Sequence, residues 1–435
     1  MIYATPATGL AGLLVLFALI LGGVRIGAAL GLVGVGGLAL VLGPEAAVIK
    51  AGVITVDTLT RYELGTLPLF LLMAHVFFAV DASRDMFDVA ARFIGHRRGG
   101  LAYAAVAGCA GFGAINGSSL ATAATIGSVA LPEMRRRGYS DSLATGTVAA
   151  GGTLGQMIPP SGALIVYGII AETSIGQLFT AAIIPGLSQA LFYFVVVWLV
   201  VRLRPGLAPA SERSGWPERW SSLSRIWDML CLITLVIGGI SLGWISASEA
   251  AAIGAAGSLL IAMVRKGLSR AMLFTAFEAT LKTSGMIFLI IIGALVFSVF
   301  VGVTGLAEAA SAMVTGMHLG PVATLVVIAL LLLVLGSVLD GLALMLLTTP
   351  ILLPIVQSTG MSALWFGIFI TRAMEMGFVH PPLGMNLYVI QGVAKDVPIG
   401  RIFKGVVPFL ASDFVHLFLL ILVPGMALWL PSVLQ

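Results

Sequence analysis

Long apolar runs, cut by short basic connections, dominate the chain. Residues 229–240, 286–301 and 322–334 are almost wholly apolar. Such runs are continuous rather than alternating and approach the ~20 residues that a helix needs to cross hydrocarbon, so they predict membrane helices and not barrel strands. Helices are predicted over about 7–23, 26–43, 64–80, 178–201, 226–243, 247–264, 284–303 and 405–430. Two further spans, about 141–171 and 362–394, carry breaks at Ile158-Pro-Pro-Ser-Gly162 and His380-Pro-Pro-Leu-Gly384.

Basic residues orient these spans, because Lys and Arg near helix ends collect on the cytoplasmic side. Arg25 separates the first two helices and places the N-terminus outside, although Lys50 and Arg61 then fall on the outer side. The stretch 99–134 has Arg97-Arg98 before it and Arg135-Arg136-Arg137 after it, with Gly113-Ala-Ile-Asn-Gly-Ser-Ser119 in its middle. Two arms with cytoplasmic ends and a Gly/Ser/Asn tip describe a re-entrant hairpin. No Lys or Arg occurs from Thr283 to Thr371, so a second hairpin over about 321–357 is predicted to enter from the other side.

The two hairpin-bearing stretches share a register. Pro132 and Pro354, Gly138 and Gly360, Pro159-Pro160 and Pro381-Pro382, and Gly162 and Gly384 all lie 222 residues apart. With opposite charge bias at the hairpin ends, this predicts inverted repeats, an architecture of secondary transporters. The predicted organisation is scaffold helices at 1–63, a first repeat at 64–201, a Pro- and Arg-rich cytoplasmic linker at 202–225, a peripheral helix pair at 226–270 and a second repeat at 271–435.

Composition narrows the function classes. Of 435 residues, 59% are hydrophobic and 10% charged, against roughly 25% charged in a soluble domain. A cytosolic enzyme and a disordered scaffold are excluded. The net charge of +4 sits in short connections, which is an orientation signal and not a nucleic-acid footprint. Two cysteines, Cys109 and Cys231, each within an apolar segment, build neither a disulfide framework nor a Cys-rich metal site. No Gly-x-x-x-x-Gly-Lys-Ser/Thr loop is present, so no nucleotide is expected to drive the process in this chain.

Candidate chemistry gathers where backbone stops being helical at membrane depth, since unpaired N–H and C=O groups there need protein, water or an ion. Asn116, Ser118, Ser119, Thr122 and Thr125 supply oxygens at the first tip, beside Thr153, Pro159, Pro160 and Ser161 at the first break. Ser337 and Asp340 lie at the second tip, with Thr348 and Thr349 on the following arm, facing the break from His380 through Pro381 and Pro382 to Asn386. Hydroxyl, carbonyl and carboxylate oxygens suit a hard cation, and half-helix N-termini suit a carboxylate. The competing reading is that Ser, Thr and Gly simply let helices pack closely. Asp340, a carboxylate deep in an uncharged stretch, is read as functional, with a neutral hydrogen-bonded acid as the alternative. His380 is read either as a proton-linked group or as the cap of a broken helix.

These residues resemble the large membrane subunit of the tripartite ATP-independent periplasmic (TRAP) transporters, the DctM-like family. The resemblance rests on an ordered series that includes Leu67-Pro-Leu-Phe70, Gly111-Phe-Gly-Ala-Ile-Asn-Gly-Ser-Ser119, Gly151-Gly-Thr-Leu-Gly155, Ile158-Pro-Pro-Ser161, Ser248-Glu-Ala-Ala-Ala252, Leu339-Asp340 and Pro381-Pro-Leu-Gly-Met-Asn386. It implies an all-α polytopic membrane protein of the bacterial inner membrane, working as an elevator-type, sodium-coupled importer of an organic acid. It also implies a periplasmic substrate-binding protein and a small four-helix membrane subunit as partners, in a lipid bilayer. One Na⁺ site is implied on Asn116, Gly117, Ser118 and Ser119 with Gly152 and Thr153. A second is implied on Gly336, Ser337 and Asp340 with His380, Pro381 and Asn386. The substrate is expected against Ser118, Ser119, Thr153, Pro159, Pro160, Ser161, Pro381, Pro382 and Asn386. Where the family usually has Ser and Thr, this chain has Asn116 and His380; an imidazolium at 380 would repel Na⁺, whereas the backbone carbonyl survives the change. Three other readings of the chain are a stand-alone proton- or sodium-coupled anion carrier, a membrane receptor and an intramembrane enzyme.

Overall fold

The computed structural model describes residues 4–210, 213–266 and 269–434. Residues 1–3 of the predicted scaffold, 211–212 of the predicted linker, 267–268 of the predicted helix pair and 435 lie outside the described residues. Among the described residues the chain is helical with no strand, and six helices are long and apolar enough to cross a membrane, or eight with two bent pairs included. The fold is all-α and polytopic.

The N-terminal part comprises α1 (Pro6–Leu21), α2 (Ile26–Leu42), α3 (Pro44–Thr60), α4 (Thr66–Ala79) and the amphipathic α5 (Ala82–Ile94). The first hairpin is α6 (Gly100–Asn116) with α7 (Ser119–Arg136); the first broken helix is α8 (Asp141–Met157) with α9 (Gly162–Ile170), followed by α10 (Ile175–Leu203). A short α11 (Trp216–Leu223) leads to α12 (Trp227–Ser241), α13 (Ala247–Lys266) and the 35-residue α14 (Arg270–Thr304). The second set runs α15 (Leu306–Gly316), the hairpin α16 (Pro321–Val338) and α17 (Gly341–Ser358), the broken helix α18 (Ala363–Val379) and α19 (Met385–Val393), then α20 (Ile399–Leu422) and α21 (Gly425–Leu434).

Single polar residues start many of these helices. At an N-terminus the first N–H groups have no helical acceptor, which is costly away from water. Side-chain oxygens of Ser118, Ser140, Ser161, Ser174, Ser269, Asp340 and Ser362 accept those N–H groups at α7, α8, α9, α10, α14, α17 and α18. The breaks follow from proline, which removes an N–H and clashes with the preceding turn: α8 stops before Ile158 and α9 leaves at a 42° bend. Both Pro-Pro bonds, 159–160 and 381–382, are cis.

Two features depart from the sequence expectation. The segment 44–60, not predicted as an element, is the helix α3, whose Val48, Ile49, Val53, Val56 and Leu59 are exposed. The 202–225 stretch is not a plain linker, because α11 folds within it and packs on α5, burying Arg219.

Glycine sets the closest approaches. The α2–α14 pair meets at Gly27 and Gly34, where a Cβ would lie 2.9 Å from Ile290 N and 2.8 Å from Phe297 N. Each hairpin crosses its broken helix the same way: a Cβ on Gly113 would sit 2.5 Å from Gly155 Cα, and one on Gly377 2.6 Å from the Gly336 carbonyl carbon. At the basic end Arg135 bridges Asp141 (3.1 Å) and Asp396 (2.5 Å), and Arg401 reaches Asp141 (3.0 Å), tying the end of α7 to the start of α8 and the α19–α20 connection.

Candidate functional site

The first tip is a three-residue reversal. Helix α6 ends at Asn116, Gly117 takes a left-handed φ of +63°, and Ser118 caps α7 by accepting the Ala121 N–H at 3.4 Å. Only glycine fits at 117 in both conformation and space, because a Cβ there would lie 2.6 Å from the Pro160 carbonyl oxygen. The tip therefore rests on the first break. Asn116 donates to the Ser118 carbonyl and the Thr122 hydroxyl, both at 3.4 Å.

The second tip turns without a left-handed residue. After Leu339, Asp340 caps α17, its Oδ2 accepting from the N–H groups of Leu342 (3.2 Å) and Ala343 (3.5 Å). A carboxylate has about four acceptor positions, so these donors leave capacity for a further ligand. Gly336 packs on Gly377, and the Ser337 hydroxyl donates to its own helix at Val334.

Both tips open on one cavity of about 1010 Å³. Asn116, Gly117, Ser118 and Ser119 line it with Pro160 of the first break and Asp340 of the second tip. The rest of the lining, from the α1–α2 turn, α4 and α14, contributes Arg25, His75, Lys282 and Thr283. Oxygen-rich tips thus share this cavity with two cations. The His75 Nδ1 lies 3.0 Å from the Thr280 hydroxyl, and Lys282 pairs with Glu278 at 2.6 Å.

The other expected residues stand elsewhere. Gly152 packs on Ala123 of α7, and Ser161 is fully buried as the cap of α9. Neither Pro159 nor any of His380, Pro381 and Pro382 lines the cavity. Asn386, fully buried, donates its amide to Ser119 Oγ (3.0 Å) and the Ala149 carbonyl (3.1 Å), so its hydrogen bonds go to the first hairpin and first broken helix and not to the second tip.

Thr153 belongs to a buried network behind the cavity that sequence reasoning missed. Its hydroxyl contacts Tyr193 Oη (2.9 Å) and accepts from Gln189 (3.0 Å); Tyr193 donates to Asp413 Oδ2 (3.2 Å). Arg372 donates Nη2 to Asp413 Oδ1 (2.6 Å) and Nε to His416 Nδ1 (3.1 Å), and His416 Nε2 lies 2.9 Å from Ser188 Oγ. Since Arg only donates, His416 Nδ1 accepts, which makes the ring neutral with its proton on Nε2. The chain of contacts joins α8 and α10 to α18 and α20. The signal was available: Arg372, Glu375, Asp413 and His416 are ionisable residues inside apolar helices.

Residues 13–426 match the family model described as "Tripartite ATP-independent periplasmic transporter, DctM component". The chain is 34% identical over 382 residues to the C4-dicarboxylate TRAP transporter large permease protein DctM of Pseudomonas aeruginosa, covering 86% of this chain and 88% of that one. It is 31% identical over 375 residues to the sialic acid TRAP transporter large permease protein SiaM of Vibrio cholerae, covering 86% and 87%. In fold it resembles the Alcanivorax borkumensis YdaH transporter crystal structure, with a TM-score of 0.60 at 15% identity over 87% of this chain and 89% of that one.

Proposed function

Because the chain belongs to the DctM component family of the tripartite ATP-independent periplasmic transporters, and is a multi-pass inner-membrane permease rather than an enzyme, we propose that it carries an organic acid inward, coupled to Na⁺. The observation that carries this reading is the single cavity shared by the two tips, with Asp340, Arg25 and Lys282 all in its lining. An anion there meets the N-terminal ends of α7 and α17 and two cationic side chains. A hard cation meets hydroxyls, amide oxygen and the Asp340 carboxylate. The relatives' names, C4-dicarboxylate and sialic acid transporters, point to a carboxylate substrate.

In this reading the hairpins and broken helices move together while α2, α4, α13 and α14 stay fixed. Recurrence supports two repeated units, since α7 and α17, and likewise α8 and α18, begin and end 222 residues apart. The basic flanks of the first hairpin, against flanks without Lys or Arg at the second, support their opposite orientation. The driving force needs no nucleotide, since each Na⁺ moved inward down 100 mV supplies about 2.3 kcal/mol from the potential alone, which offsets the cost of carrying the anion in the same direction. Sodium at the tips would neutralise Asp340 and order the capping loops, so the acid binds well only afterwards. The partners are a small membrane subunit and a periplasmic binding protein that delivers the acid.

The test is uptake of radiolabelled succinate and sialic acid into proteoliposomes, with those two partners and with the chain alone. Uptake that needs both partners and an inward Na⁺ gradient, with choline inactive, supports the proposal. Uptake driven equally by a proton gradient in choline overturns the sodium coupling, and uptake by the chain alone overturns the tripartite arrangement.

A further inference from the structure

Helix α10 exposes Leu187, Leu191, Val195 and Trp198, which are three or four residues apart and so share one face. Along most of its length such a face is ordinary contact with lipid tails. Its basic end is different. There a groove of about 500 Å³ opens between α10 and the α5–α6 connection, with Tyr103, Phe194, Val195 and Trp198 as apolar lining and Arg97 and Arg98 as charge. The Tyr103 and Phe194 rings pack at 5.8 Å between centroids.

The connection is held against α10 directly after the two arginines. Gly99 has a φ of +75°, and a Cβ on it would lie 2.9 Å from Val201 Cγ2 and 3.4 Å from Val197 Cγ1. Arg202 adds a third guanidinium, its Cζ 5.3 Å from the Trp198 ring centroid. Among the described residues none of Arg97, Arg98 and Arg202 has a carboxylate within ion-pair distance, whereas Arg135, Arg136, Arg137, Arg225, Arg265 and Arg401 each have one.

Three unpaired cations beside an apolar groove at the end of a membrane span select one kind of occupant. A guanidinium matches a phosphate, which accepts two parallel N–H bonds from it. A small soluble anion would leave the aromatic lining uncovered. An apolar helix from a partner would cover the lining but strip the guanidinium groups of water without pairing them. A zwitterionic lipid brings an ammonium that the three cations repel. We propose that the groove is a site for one anionic glycerophospholipid, its phosphate held by Arg97, Arg98 and Arg202 and an acyl chain lying on Phe194, Val195 and Tyr103. The lipid then joins α6, the first arm of the first hairpin, to α10. The site is separate from the cavity at the tips and independent of the coupling ion.

The experiment uses the purified full chain in detergent, with bound lipid read by native mass spectrometry. Melting temperature is followed on titration with dioleoylphosphatidylglycerol, dioleoylphosphatidylcholine or inorganic phosphate. Three variants are compared with wild type: Arg97→Gln with Arg98→Gln; Val195→Trp, which places an indole in the groove and keeps the arginines; and Arg136→Gln with Arg137→Gln, an equal charge loss elsewhere. All five positions are exposed, so the variants should melt with wild type before lipid is added. Wild type should retain phosphatidylglycerol and be stabilised by that lipid alone. The Arg97/Arg98 variant and Val195→Trp should each raise its half-saturating concentration about tenfold or more, and the Arg136/Arg137 variant less than about twofold. Equal shifts in the two arginine variants would assign the effect to diffuse charge and overturn the site, and an unchanged affinity in Val195→Trp would remove the groove from it. Equal stabilisation by phosphatidylcholine overturns the anionic selectivity, and equal stabilisation by inorganic phosphate overturns the lipid.

Discussion

The two hairpin tips use one backbone device with different charge. Ser118 caps α7 and Asp340, 222 residues on, caps α17. The same interval relates Thr153 on α8 to Glu375 on α18. In the first half both positions are neutral hydroxyls, and Thr153 is fully hydrogen-bonded within its network. In the second half both are carboxylates, one at the cavity and one buried without a partner. Helix capping needs only an acceptor, which Ser supplies as well as Asp. The extra carboxyl groups therefore offer oxygens beyond what capping needs, and cation affinity should be lopsided toward the second half.

The largest effect is expected where charge is buried. Asp413→Ala strips Arg372 of its carboxylate, and breaking such a pair costs about 3–5 kcal/mol. Gln189→Ala, in the uncharged first-half part of the same network, should cost about 1–3 kcal/mol. Thermal or denaturant unfolding in detergent measures both, and equal losses would erase the difference between the halves. Next come the glycine crossings: Gly377→Ala and Gly113→Ala each push a methyl into backbone and should each lose about 1–3 kcal/mol. Here the halves should behave alike, and tolerance of one alone would show that the crossings are not equivalent.

A smaller effect lies at the basic end. The Asp396 carboxyl is held below its usual range by hydrogen bonding to Arg135. Its contribution is therefore complete above the unfolded carboxyl value near about 4 and fades as pH falls through the lower folded value. Asp396→Asn should leave melting almost unchanged at pH 7 and flatten the melting profile slightly at the acid end. A large loss at pH 7 would mean that this exposed pair carries more than an ordinary surface contact.

Much of this was legible in the chain because the interruptions are chemically loud. Pro159-Pro160 and Pro381-Pro382 cannot continue a helix, Gly117 suits a left-handed turn, and Ser118 and Asp340 stand as lone polar residues in apolar surroundings. Helix α3 was missed because Glu45, Lys50 and Asp57 interrupt its apolar run, although Gly43-Pro-Glu is a visible helix start. The buried network was missed for a different reason. Arg372, Asp413 and His416 sit on two helices 41–44 residues apart, and only tertiary packing makes them partners. Asn386 shows the same limit: its position at the second break suggested a partner on the second tip, whereas its hydrogen bonds run to the first half.

The lopsided charge gives the most direct test. Melting temperature is measured in saturating Na⁺ and in matched choline for wild type, Ser118→Ala and Asp340→Ala. Wild type should gain on the order of 5 °C in Na⁺. Ser118→Ala should melt lower in both salts, by the loss of a cap of about 1 kcal/mol, yet keep most of that gain. Asp340→Ala should lose most of it. Equal Na⁺ responses in the two variants, whether both retained or both abolished, would contradict the stronger cation binding expected at the charged second tip.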